Sequence, residues 1–128
     1  MPFRARTVAL VATGGVAGAL ARWGLAVALP ELGGTLAANV LGAFALGAVV
    51  AYGADGRLSP ATRAAVATGF LSAFTTYSTF AVESALANSP ALLVGNVLAT
   101  YALGFAAAAA GLAAGRRLRG TDRGGEPA

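Results

Sequence analysis

With 128 residues, of which 57% are hydrophobic and only 11% charged, the chain is too apolar for a water-soluble domain, where about 25% of residues carry charge. It has no cysteine and no histidine, which excludes disulfides, thiolate metal sites and imidazole catalysis. Its formal charge of +4 comes from nine basic residues, all arginine, but the long apolar runs between them argue against a nucleic-acid-binding domain. A mean hydropathy of +0.71 and 18 glycines predict an all-α integral membrane protein with closely packed helices, and not an enzyme.

About 20 mostly apolar residues cross a hydrocarbon core of about 30 Å, and four stretches qualify. The first runs over residues 7–29. Gly14 and Gly18 give it a small-residue face for close helix approach. Arg22 follows near its end, beside Trp23. Such a cation serves either as an electropositive lure at the mouth of an anion pathway or as an interfacial snorkel. Arg4, Arg6 and the apolar run before Ala19-Leu20-Ala21 imitate a secretory signal peptide. The run continues past that point to Leu29, so retention is expected.

The second span covers residues 35–52. Thr35 and Asn39 stand four apart on one helical face, with Gly42 near it. The amide of Asn39 can hold an anion or join two helices. The third span, 61–87, is interrupted by polar residues at its centre. There Thr75-Thr76-Tyr77-Ser78-Thr79-Phe80 makes a poor continuous membrane helix. A break is expected near 72–77, and irregular backbone at that depth survives where it is buried or lines a wet cavity. Freed carbonyls there suit a cation and freed amides an anion. Glu83 is the acid well inside this span, available either to pair within the protein or to couple protons.

The fourth span, 91–114, is the most uniformly apolar. Asn88-Ser89-Pro90 before it reads as a helix cap with a first-turn proline. Residues 1–115 thus form a single four-span membrane domain, and residues 116–128 a polar tail expected to be disordered. With four spans, Arg4, Arg6, Arg57, Arg63, Arg116, Arg117, Arg119 and Arg123 share one side, leaving Arg22 alone towards the other. Arginine is retained on the cytoplasmic side, which predicts a plasma-membrane protein with both termini inside.

Three blocks, in this order, resemble the CrcB/Fluc family of fluoride channels: the glycine run ending at Arg22, Gly34-Thr35-Leu36 with Asn39, Gly42 and Phe44, and Gly69 with the Thr75–Phe80 hexad and Glu83. The resemblance covers nearly the whole chain outside the tail. It implies a four-helix subunit of an antiparallel dimer, with a broken third helix and two fluoride pathways along the interface. It further implies a central structural Na+, not transported, held by backbone carbonyls matching Ser72 and Thr75. Tyr77 and Phe80 match the family's box of aromatic rings, and Asn39 matches its pathway asparagine with Thr35 one turn away. Ser78 and Thr79 match hydroxyls of a polar track, and Arg22 matches a vestibule arginine.

Aromatic edges carry the positive part of the ring quadrupole, so with hydroxyl and amide donors they can hold a bare fluoride without trapping it on a full charge. An all-oxygen cation site needs neither histidine nor cysteine. The family pattern has glycine where Ser72 and Ala73 stand, so carbonyl ligation here requires dihedrals open to residues with a Cβ. It has phenylalanine where Tyr77 stands, whose hydroxyl adds bulk and a competing donor in one lane. A chain that inserts in both orientations shows little charge bias. The arginine bias here therefore predicts pairing with a related subunit of opposite orientation. The competing readings are a small multidrug-type, proton-coupled cation exporter working through Glu83 and a packing subunit that transports nothing.

Overall fold

The structure is a computed structural model that describes residues 2–30 and 32–123. Glu31 of the first link and residues 124–128 of the tail lie outside the described residues. The chain is all-helical there: α1 (Pro2–Ala28), α2 (Gly33–Tyr52), a short 3-10 turn (Gly53–Asp55), α3 (Pro60–Arg63), a π-helical segment (Ala64–Leu71), α4 (Ser72–Phe74), α5 (Tyr77–Ala85) and α6 (Pro90–Arg123). These make four stretches long and apolar enough to cross a membrane, the third the least apolar. The protein is a multi-pass membrane protein. Trp23, Val27, Leu98 and Phe105 are all exposed on its surface, where hydrocarbon rather than water makes such exposure favourable.

Helix starts follow the residues that dictate them. Ser59 caps α3 by accepting from the Thr62 N–H at 3.1 Å, with Pro60 next to it. Ser89 does the same for α6, accepting from the Leu92 N–H at 3.2 Å ahead of Pro90. Each cap satisfies a donor that has no intrahelical partner, as the Asn88-Ser89-Pro90 sequence predicts. Gly56 turns the chain between the second and third spans at φ 75°, a conformation open to glycine without steric cost.

Small residues set the packing, since lipid gives helices little hydrophobic reason to associate. A Cβ on Gly111 of α6 would collide with the Phe44 carbonyl oxygen of α2, and one on Gly115 with the Ala48 carbonyl. On the other side of the molecule, the Gly18 face of α1 lies against the π segment, where a Cβ would collide with the Phe70 carbonyl. Into that segment Ser72 Oγ donates back five residues to the Ala67 oxygen at 3.1 Å. π turns inside helices are rare and cluster at functional sites. Replacing Gly111 with leucine is expected to destabilise the fold by about 1–3 kcal/mol or more through overpacking. Gly95→Ala, which meets nothing within 4 Å, serves as its control. Thermal unfolding of the detergent-solubilised proteins measures both.

Helix α6 continues past residue 114, so residues 116–123 are helical where the sequence predicts a disordered tail. The cause is a set of contacts with the turn after α2. Arg119 Nη1 stands 3.5 Å from the Asp55 carboxylate and 3.4 Å from the Ala51 carbonyl, and Arg57 Nη2 donates to the Arg119 carbonyl at 3.1 Å. Arg57 also lies over the Tyr52 ring, 5.7 Å from its centroid.

Candidate ion site at the hydroxyl run

Between α4 and α5 the backbone leaves the helix for two residues. Thr75 has φ −82° and ψ 158°, Thr76 φ −152° and ψ 126°. Extended backbone at membrane depth exposes polar groups that must find partners, and the sequence supplies them locally. Thr75 turns both its N–H and its hydroxyl back to the Leu71 carbonyl, each at 3.0 Å. Thr76 caps α5 through its Oγ1, which accepts from the Thr79 N–H at 3.2 Å and bonds the Thr79 hydroxyl at 3.1 Å. Ser78 Oγ stands 3.3 Å from the same oxygen.

The main chain of Thr76 is held from α2. Asn39 Nδ2 donates to the Thr76 carbonyl at 3.0 Å, and the Thr76 N–H donates to Asn39 Oδ1 at 2.8 Å. One side-chain amide thus replaces both bonds that a continuous helix would have given this residue. Of the two roles open to Asn39 in the sequence, the geometry displays the joining one. Gly42, three residues on, makes room for the joint: a Cβ there would collide with the Thr75 methyl group.

A cavity of about 460 Å³ opens beside this junction, lined by Asn39, Ser72, Thr75, Thr76, Tyr77 and Phe80, and by Thr100, Tyr101 and Phe105 of α6. Its aromatic side is a row of rings. Tyr77 and Phe80 have centroids 5.9 Å apart, Phe80 meets Tyr101 edge-on at 6.1 Å and 90°, and Tyr101 lies 6.3 Å from Phe105. Phe80 is only 7% exposed whereas Tyr77 is 74% exposed. Packing therefore fixes the Phe80 ring and leaves the Tyr77 ring on the outer rim.

Ser72, Thr75, Asn39, Tyr77 and Phe80 are thus brought to one cavity, while Thr35, Ser78, Thr79, Glu83 and Arg22 lie off its lining. Thr35 donates to Glu83 Oε1 at 2.8 Å, a second contact between α2 and α5. Glu83 Oε2 is buried with no partner, and so is Arg22 Nε. Two polar contributions escape the sequence reading. Asn96 Nδ2 donates to Ser84 Oγ at 2.9 Å in a buried pair between α6 and α5, and Thr100 and Tyr101 bring polar groups to the cavity. Asn96 and Thr100, four residues apart in an otherwise apolar run, are the sequence signal for both.

With the Thr76 carbonyl taken by Asn39, the Thr75 carbonyl is the junction oxygen left open. Thr75 follows the last helical turn, and among the described residues no hydrogen bond ends on its carbonyl. Ser72 has φ −65° and ψ −33°, ordinary right-handed values open to any residue with a Cβ. The serine in place of a glycine therefore costs no backbone strain. No group of three or more carboxylate, imidazole or thiol side chains capable of holding a metal occurs among the described residues.

Residues 9–112 match the model of the CrcB-like protein, Camphor Resistance (CrcB) family. The chain belongs to this family. A Natronomonas pharaonis protein named fluoride-specific ion channel FluC 1 is 58% identical over 106 residues, 80% of this chain and 87% of the relative. Halobacterium salinarum FluC 2, also named a fluoride-specific ion channel, is 48% identical over 122 residues, 94% and 91% of the two chains. One from Acidobacterium capsulatum, with the same channel name, is 42% identical over 118 residues, 84% and 94%. These CrcB relatives carry the name of a channel, not of an enzyme.

Proposed function

We propose that this chain is one subunit of a fluoride-selective channel that lets cytoplasmic fluoride leave the cell passively and so limits its toxicity. The observation that carries the reading is the cavity at the Thr75–Thr76 junction, where ring edges and polar side chains meet with no acidic or basic side chain in the lining. Fluoride is small and strongly hydrated, so a pore must replace its water with donors. Positive ring edges and O–H groups do this weakly enough for the ion to leave again. The channel names of the relatives support the same substrate.

The complete pore is proposed as an antiparallel dimer in which the third span of each subunit is broken at its centre. Carbonyls of Ser72 and Thr75 from both subunits would hold a structural Na+, which contributes a fixed positive charge and is not carried across. Arg22, with its buried Nε unpartnered, is proposed as the vestibule cation. Thr35, Thr79 and Ser78 are proposed to continue the polar track beyond the cavity. The exporter reading places a titrating acid among the substrate contacts, and Glu83 does not line the cavity.

Both termini are proposed to be cytoplasmic, from the eight arginines on that side. Because that bias opposes insertion in two orientations, the partner is proposed to be a related subunit with the opposite bias. Relatives named FluC 1 and FluC 2 are compatible with chains that come in pairs. The test is fluoride efflux from reconstituted liposomes, with chloride as control ion. Co-reconstitution with an oppositely biased paralogue is expected to give fast fluoride release and no chloride release, and this chain alone little of either. Robust flux from the chain alone as an antiparallel homodimer would reject the paired-subunit proposal while leaving the channel standing.

A further inference from the structure

The last turns of α6 carry charge that the fold holds in a fixed direction. The apolar run of this helix ends at Ala114, and Gly115 is followed by Arg116, Arg117, Leu118 and Arg119. One of these arginines is engaged inward. Arg119 reaches the Asp55 carboxylate and the Ala51 carbonyl, and Arg57 donates to its main-chain oxygen. Gly111 and Gly115 lie against Phe44 and Ala48 of α2 with no room for a Cβ. Those contacts fix the rotation of the helix. Arg116 and Arg117 stand about 100° or more around it from both glycines, and both are exposed. Their guanidinium groups make no hydrogen bond or ion pair among the described residues.

Depth along the helix says what faces them. Arg116 stands about 38 Å along α6 from Ala91 at about 1.5 Å per residue. That is beyond a hydrocarbon core of about 30 Å but within the roughly 40–45 Å that includes the headgroups. Leu118 beside them is 58% exposed, and it can enter the boundary between headgroups and acyl chains while the arginines meet the headgroups. By sequence this end carries eight arginines against Asp55, Asp122 and Glu126, and Asp55 is already engaged with Arg119. A planar guanidinium matches two phosphate oxygens at once, and anionic lipid attracts arginines placed just outside the core.

We infer that Arg116 and Arg117 bind the phosphate of anionic phospholipids, and that the Arg119–Asp55 pair is the positioning contact that aims them at the headgroups. Residues that the sequence assigns to a disordered tail thus dock α6 on the charged surface of the membrane. A free phosphate offers the same oxygens but has no acyl chain to keep it at this depth, so the occupant is the lipid. The inference concerns the end of the molecule that bears the arginines and stands apart from the channel reading, whatever ion the pore passes.

The experiment is native mass spectrometry of the full chain in neutral detergent, with phosphatidylglycerol and phosphatidylcholine supplied in equal amounts. The wild-type chain is expected to retain phosphatidylglycerol preferentially. Arg116→Gln with Arg117→Gln is expected to lower that retention by roughly fivefold for each arginine and to leave phosphatidylcholine unchanged. Arg4→Gln with Arg6→Gln removes the same charge from exposed arginines of α1 and is expected to retain phosphatidylglycerol as the wild type does. Asp55→Asn is expected to lower retention although it raises the net charge, because the extension is then no longer held. If the double variant cannot be purified, Arg116→Gln and Arg117→Gln are read singly by the same criterion. No lipid preference in the wild type, or full retention without Arg116 and Arg117, overturns the site. Equal loss in the α1 control also overturns it, because overall charge would then account for binding. Displacement of the lipid by millimolar inorganic phosphate overturns the choice of lipid as occupant, and full retention in Asp55→Asn overturns the positioning role.

Discussion

Replacing Asn39 by alanine is expected to abolish most of the fluoride flux. It removes both bonds to the Thr76 main chain, the 3.0 Å donation to the carbonyl and the 2.8 Å acceptance from the N–H. Each buried backbone group left without a partner costs about 1–3 kcal/mol. The pair therefore represents about 2–6 kcal/mol on the same scale, enough to move the extended residues towards a different arrangement. The expected readout is loss of fluoride efflux by at least about a hundredfold, with a lower unfolding temperature in detergent. Asn39→Asp separates geometry from charge. An ionised carboxylate still accepts from the Thr76 N–H but has no proton to give the Thr76 carbonyl, and its charge repels an anion. Its flux is expected to be as low as that of alanine. Wild-type flux from Asn39→Ala would show that the joint to α2 plays no part in conduction.

The sequence goes far towards this arrangement because lipid simplifies the reading. Four apolar stretches of membrane length can only be helices, and Ser59-Pro60 and Ser89-Pro90 mark two of their starts. The hydroxyl run is conspicuous for the same reason, since β-branched and hydroxyl residues have no cause to cluster in hydrocarbon unless the chain does something irregular there. What a single sequence withholds is partnership at long range. Asn39 could be singled out but not paired, because nothing local says that its amide meets the main chain of Thr76, 37 residues away. The Asn96–Ser84 pair is hidden likewise. The π segment Ala64–Leu71 carries no marker residue of its own in the sequence, and its close contact with α1 at Gly18 is likewise a long-range pairing. The helical extension through Arg119 depends on Asp55 and Ala51, contributed by a distant turn. In each case the residues are visible and the tertiary contact decides.

Phe80 offers the second large effect, and here packing and chemistry can be pulled apart. The ring is nearly enclosed and touches Tyr77 on one side and Tyr101 edge-on on the other. Truncation to alanine is expected to cost about 3–5 kcal/mol in lost burial and residual cavity, which would lower protein yield as well as flux. Phe80→Leu or Phe80→Met keeps most of the volume, so its stability cost is expected to stay below about 1.5 kcal/mol. What the aliphatic side chains lack is the positive ring edge. If that edge meets fluoride, its removal takes away a contact of about 0.5–1.5 kcal/mol, the scale of edge-on aromatic interactions, or up to about tenfold in flux. Phe80→Tyr retains the edge and is expected to conduct better than either aliphatic variant. Efflux measured at equal reconstituted protein distinguishes the cases. If leucine and methionine conduct like phenylalanine, the rings are packing alone, and the polar groups of the cavity must carry the anion without them.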